Sequence, residues 1–138
     1  MGETRRVFLS YVREDADYAH ALADALTAAG FAAWTDRAIR PGDRWDLAVE
    51  DAMANSDVYV VLVTPAALAS TWAHFEIGVA LGRADTDSHV RVIPVLRGAV
   101  AWHDLPFALR RHAGVDATDR KPQEVAARLA EALAPVAA

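Results

Sequence analysis

The side chains that this 138-residue sequence offers for chemistry are carboxylates, guanidiniums and aromatic rings. It has no cysteine, which excludes thiol nucleophiles, disulfides and cysteine-held metals. Its histidines, at positions 20, 74, 89, 103 and 112, lack the four-residue spacing of a zinc-binding helix. The glycines form neither a phosphate-cradling G-x-x-x-x-G-K-[ST] loop nor a dinucleotide G-x-G-x-x-G turn. There is no G-x-S-x-G nucleophile elbow either. Polar and aromatic groups concentrate instead in three stretches. Ser10-Tyr11 is followed by Arg13-Glu14-Asp15, and Trp34-Thr35-Asp36 runs on through Arg37, Arg40 and Arg44 to Trp45. Trp72 precedes Glu76 by four residues, which puts both on one face of a helix.

The elements that must position these groups alternate in type. Arg6–Ser10 with Tyr11 is a run of strand-forming residues. Tyr18, Leu22, Leu26 and Ala29 then mark one apolar helix face that stops at Gly30. Phe31–Trp34 reads as a second strand, and a polar loop from Thr35 to Arg44 contains Pro41-Gly42. A second helix around Leu47 and Met53 precedes Val58–Val63, apolar throughout, as a strand covered on both faces should be. Thr64-Pro65 ends that strand. A helix over Trp72–Arg83 follows, capped by Ser70 or Thr71. Val90–Leu96 is a fourth strand, Gly114–Asp116 a short fifth, and Pro122–Leu133 a closing amphipathic helix with proline in its first turn. Alternation of this kind predicts a doubly wound α/β domain: a five-stranded parallel sheet, flavodoxin-like in its order 2-1-3-4-5, with helices on both faces. Ligands of such sheets bind beyond the carboxyl ends of the strands, where the order reverses. That places a crevice between strands one and three, walled by the loops after Tyr11 and Thr64 and overhung by the Thr35–Arg44 loop.

Composition limits the partners. Hydrophobic residues make up 54% and charged residues 24%, so the chain is globular rather than disordered. A net charge of -5 argues against a general nucleic-acid binder. No apolar run has the length of a membrane span, and the N-terminus lacks the apolar core of a signal peptide. A cytoplasmic single domain with no membrane partner is the expectation.

Four segments, in this order, carry a family resemblance. They are Val7–Tyr11 with Arg13-Glu14-Asp15; Gly30-Phe31 leading to Trp34-Thr35-Asp36 and Pro41-Gly42; Trp72–Glu76; and Val92–Val95 with Leu105-Pro106 downstream. Together they closely resemble the TIR (Toll/interleukin-1 receptor) domain in its bacterial form, over nearly the whole chain. The resemblance implies one TIR domain over residues 1–138, free-standing or excised from a longer multidomain chain. It also implies one of two roles. Many bacterial and plant TIR domains, and an animal axon-degeneration enzyme, cleave the nicotinamide–ribose bond of NAD+. Others only associate with further TIR domains, as adaptors or as mimics that disturb host assemblies.

In the enzymes of the family the essential glutamate lies in a W-x-x-x-E pattern, which falls here on Trp72 and Glu76. The resemblance therefore implies Glu76 as the catalytic residue of an NAD+ glycohydrolase or cyclase, with NAD+ as substrate and no cofactor or metal. Ser10, Tyr11, Arg13, Trp34, Asp36, Arg40, Trp45, Trp72 and Trp102 are the matching substrate-binding candidates. Guanidiniums suit a pyrophosphate and indoles suit a base. Trp102 lies in the stretch after strand four where the axon-degeneration enzyme also carries an aromatic residue. The overhanging loop, Thr35–Asp46, is implied as the surface through which TIR domains meet, and an antiphage or immune effector switched on by self-assembly is the implied biology.

Several of these residues also have plain structural uses. A glutamate early in a helix favours the positive end of the dipole. Trp72 and Trp34 suit a core as well as a pocket wall. Ser10 can end its strand by bonding to backbone, and Asp36 can order its loop locally.

Overall fold

The computed structural model describes residues 5–133, apart from the side chains of Trp72, Ala73 and Phe75. Five parallel strands, β1 (Arg6–Ser10), β2 (Ala32–Trp34), β3 (Val58–Val63), β4 (Arg91–Leu96) and β5 (Val115–Asp116), form one sheet in the order β2-β1-β3-β4-β5. The helices are α1 (Ala16–Ala28), α2 (Trp45–Ala54), α3 (Pro65–Leu68), α4 (Thr71–Thr86), α5 (Phe107–Arg110) and α6 (Pro122–Leu133).

The sheet divides the core in two because strand side chains alternate between faces. Val7, Leu9, Val58, Val60 and Leu62 face α1 and α6, where Leu22, Leu26, Val125 and Leu129 cover them. Phe8, Tyr59, Val61 and Val63 face the other way, against Val49 and Met53 of α2 and Ile77 and Ala80 of α4. All six residues of β3 are buried, as its unbroken apolar sequence requires of a central parallel strand. The fold class read from the sequence is the one observed, down to the strand order.

The local differences have local causes. β2 begins at Ala32 because the Phe31 amide closes the end of α1, donating to Leu26 O at 3.1 Å, with Gly30 at φ +101°. The chain after β3 does not merely break. Thr64 Oγ1 accepts from the Ala67 amide at 3.1 Å and Pro65 takes the first turn, so a four-residue helix forms there. A run this short carries no readable period. No helix among the described residues is long and apolar enough to cross a membrane.

One glycine is fixed by crowding. A Cβ on Gly114, just before β5, would lie 2.1 Å from Pro94 O and 2.8 Å from the Trp102 ring. The carbonyl belongs to β4 and cannot yield. Gly114→Ala is expected to destabilise the domain by roughly 2 kcal/mol or more, a fall in Tm on the order of 5 to 10 °C. Thermal melting checks this, and an unchanged Tm would mean that β5 shifts freely.

Candidate active site

The chemistry-bearing residues converge at the carboxyl ends of β1 and β2. Ser10, the last residue of β1, is buried, and so is Glu76 in the second turn of α4. Ser10 Oγ donates to Glu76 Oε1 at 3.3 Å. This carboxyl is only 6% exposed, and among the described residues no cation forms an ion pair with it. Burial therefore pushes it from the ordinary 4.5 up to about 7, and the Ser10 hydrogen bond pulls back against that rise. Near neutral pH the group is poised between acid and carboxylate.

Glu76 opens into a cleft of about 390 Å³ whose walls carry Tyr11, Arg13, Trp34, Asp36 and Trp45. Trp34 is both wall and core: its ring stacks on the buried Phe8, centroids 5.1 Å apart and 9° from parallel. Trp45, at the start of α2, is 47% exposed. Arg13 stands on a 3-10 turn (Arg13–Asp15) held from behind, since Thr64 Oγ1 donates to Asp15 Oδ2 at 2.5 Å. Glu14 and Ser70 also reach the cleft. At its rim Tyr11 OH donates to Asp36 Oδ1, and His20 Nε2 lies 3.2 Å from that same oxygen.

These contacts fix charges. Burial and the bond to Asp36 push the Tyr11 phenol up, so it stays neutral. Burial would raise Asp36 too, but hydrogen bonds from Tyr11 and His20 outweigh it, and the carboxyl titrates below its usual range.

Other candidates lie elsewhere. Arg40 is exposed and is not on the cleft wall; its backbone amide donates to Asp43 Oδ2 at 2.9 Å. Arg37 turns back to α1 and pairs with Asp24 at 2.8 Å, while Arg44 pairs with Asp46 at 2.9 Å. Arg13 is thus the guanidinium on the wall. Trp102 follows β4 on a separate concavity beside Arg110, Arg111 and Gly114. The side chain of Trp72 lies outside the described residues.

The crevice has the walls expected from the sequence: Arg13 and Glu14 after β1, Ser70 after β3, Glu76 of α4, and Asp36 of the overhanging loop. It also extends over β2 and α2, where Trp34, Trp45 and Val49 line it. Ala67 of α3 packs on Val12 after β1 and backs this wall. His20 escaped the sequence reading because its partner Asp36 is sixteen residues away, on another element.

Residues 7–133 match the family model described as TIR domain. The chain belongs to the TIR domain family. A stimulator of interferon genes protein from Magallana gigas is 35% identical over 106 residues, covering 75% of this chain and 25% of that protein. The TIR chain thus spans well under half of this relative. Among solved structures, a TIR-STING receptor from C. gigas in complex with 2′,3′-cGAMP aligns with a TM-score of 0.72 at 27% identity, over 90% of this chain and 39% of that one. The TIR domains of the activated Roq1 resistosome align at 0.64 and 22%, over 94% and 72%. The Clostridium botulinum CMP N-glycosidase BcmB aligns at 0.59 and 20%, over 94% and 100%. The last two likenesses concern the fold.

Proposed function

We propose that this TIR domain is an NAD+ nucleosidase, cleaving the nicotinamide–ribose bond to nicotinamide and ADP-ribose or a cyclic ADP-ribose. The observation that carries the proposal is a buried carboxyl, Glu76, without an ion pair among the described residues and hydrogen-bonded by Ser10 at the base of a cleft with indole and guanidinium walls. The match of Trp72 and Glu76 to the family's W-x-x-x-E pattern supports it. So does the chemistry named for BcmB, which cleaves an N-glycosidic bond in another nucleotide.

In this reading the bond from ribose C1′ to the nicotinamide nitrogen breaks, and its electron pair neutralises the cationic ring. The ring leaves without needing a strong acid. Positive charge then develops on the ribose, and the Glu76 carboxylate stabilises it in a site partly withdrawn from water. Water attacks C1′ and gives up a proton, or an adenine ring nitrogen attacks and closes the cycle. Arg13 meets the pyrophosphate, while Trp34 and Trp45 offer faces to the rings.

Glu76 works here as the anion, so the pH profile tests the reading. With burial holding its pKa at about 7, kcat/KM for nicotinamide release is expected to fall about tenfold per pH unit below that value. Ser10→Ala removes a bond that favours the carboxylate and is expected to move this limb to higher pH. Chromatography of nicotinamide across pH 5.5 to 8.5 reads both. A profile that is flat over that range, or the same limb in Ser10→Ala, would contradict the assigned role.

The domain is also built to associate. Trp45 and Leu47 are exposed after β2, at one edge of the sheet, and Trp102 and Phe107 after β4, toward the other. Apolar side chains left in water at both edges favour TIR–TIR contact. We propose that such contact, through the Thr35–Asp46 loop, completes the site, with Trp102 reaching the cleft of a neighbouring copy. The same exposure favours a second reading, an association module without catalysis, and substitution of Glu76 separates the two.

A further inference from the structure

We infer that His20 is a positioning residue that fixes the root of the Thr35–Asp46 loop, so that Asp36 stays on the cleft wall and only the part of the loop beyond Ala38 is free to move. Where catalysis is concerned this rests on the nucleosidase reading; where the loop is concerned it does not.

His20 and Asp24 stand one turn apart on α1, on the same face of the helix. They hold two consecutive loop residues. His20 Nε2 lies 3.2 Å from Asp36 Oδ1, and Asp24 Oδ1 accepts from Arg37 Nη2 at 2.8 Å. Arg37 also donates to the His20 carbonyl at 3.2 Å. The Asp24–Arg37 pair is exposed, and such pairs contribute little. The His20–Asp36 contact is exposed on the Asp36 side, but the imidazole is partly buried and is shared with Tyr11, whose hydroxyl lies 3.1 Å from the same ring nitrogen.

The hydrogens decide who holds whom. Tyr11 has one hydroxyl hydrogen, and it is directed at Asp36. His20 Nε2 therefore brings the second hydrogen to these oxygens, as the Nε2–H form. The imidazole also meets the Tyr11 ring edge-on, centroids 5.6 Å apart, which sets its plane. The segment just after β1, α1 and the loop thus meet at one carboxylate oxygen. From this anchor a 3-10 turn (Asp36–Ala38) closes, with the Ala38 amide on Thr35 O and the Ile39 amide on Asp36 O. Beyond it the residues Arg40 to Asp46 are exposed, and Gly42 sits at φ +95°. The pivot of the loop falls between Ala38 and Gly42, not at the end of β2.

Two substitutions separate the hydrogen bond from the ring. His20→Phe keeps a flat ring against Tyr11 and removes the donor. His20→Gln loses the ring but returns an N–H near the Nε2 position. By amide hydrogen exchange, His20→Phe is expected to speed exchange at Ala38 and Ile39 about tenfold, and His20→Gln to restore it. In nicotinamide release, His20→Phe is expected to raise KM several-fold with kcat within about twofold, and Gln again to recover it. Should His20→Phe fail to fold, Tyr11→Phe removes the shared hydroxyl and reads the same amides. Unchanged exchange in the folded variant lacking the donor or hydroxyl, or Gln behaving like Phe, overturns the inference. A wild-type protein that releases no nicotinamide would defeat the functional reading while leaving the exchange result to decide this one.

Discussion

Glu76→Gln is expected to lose activity and gain stability in the same molecule. Removing the carboxylate takes away the charge that stabilises the developing ribose cation, a loss of about 10²- to 10³-fold in nicotinamide release. The stability effect follows from the same burial. In the unfolded chain this glutamate gives up its proton near 4.5, and in the fold it keeps it until about 7. As pH rises between those values the unfolded state alone releases a proton, so the fold loses stability. Each pH unit of that window is worth at most about 1.4 kcal/mol, and relaxation of the site reduces it. Glutamine carries no charge at any pH. At pH 8 it is expected to be the more stable by about 1 to 3 kcal/mol, raising Tm on the order of 5 °C, and at pH 4 the two proteins should melt together. Melting curves at the two pH values check this. A glutamine variant that is less stable at pH 8 would mean that Glu76 is satisfied by a partner other than Ser10.

The second large effect concerns concentration. The cleft is open: Arg13, Asp36 and Trp45 on its walls are exposed, and Trp102 stands well apart from it. A site that excludes water only when copies meet is active in proportion to the assembled fraction. Specific activity is expected to rise with protein concentration, up to about tenfold per tenfold increase while the active species is a minor dimer. The exposed loop residue Arg40 sharpens the test, since it is not on the cleft wall. Arg40→Glu is expected to lower activity in dilute solution, and tethering the variant at high density should restore it. Specific activity that is constant across concentration, with light scattering giving a monomer throughout, would rule out assembly as the switch.

The fold was readable because its signals are local. Gly30 ends α1 and Pro122 opens α6, while the unbroken apolar run of Val58–Val63 marks the central strand; each acts through its own backbone or its own burial. The helices of four residues, α3 and α5, are too short to show a period. The site was legible as a set of segments and not as a geometry. Ser10 and Glu76 both stand out in the sequence, yet their hydrogen bond spans sixty-six residues and depends on how α4 lies over β1. Trp102 has the right residue type near the right strand end, but β4 stands two strands away from β1 in the sheet, which carries it out of the cleft. His20 has no distinguishing neighbour in sequence. Its role arises only where α1 passes the start of the loop.

The most direct measurement compares wild-type and Glu76→Gln proteins, each tethered densely on one support and supplied with NAD+, with nicotinamide quantified by chromatography. Steady release is expected from the wild type and release reduced at least a hundredfold from the variant, with both proteins folded at the working pH. Equal release by the two, or none by the tethered wild type, would contradict the proposed function.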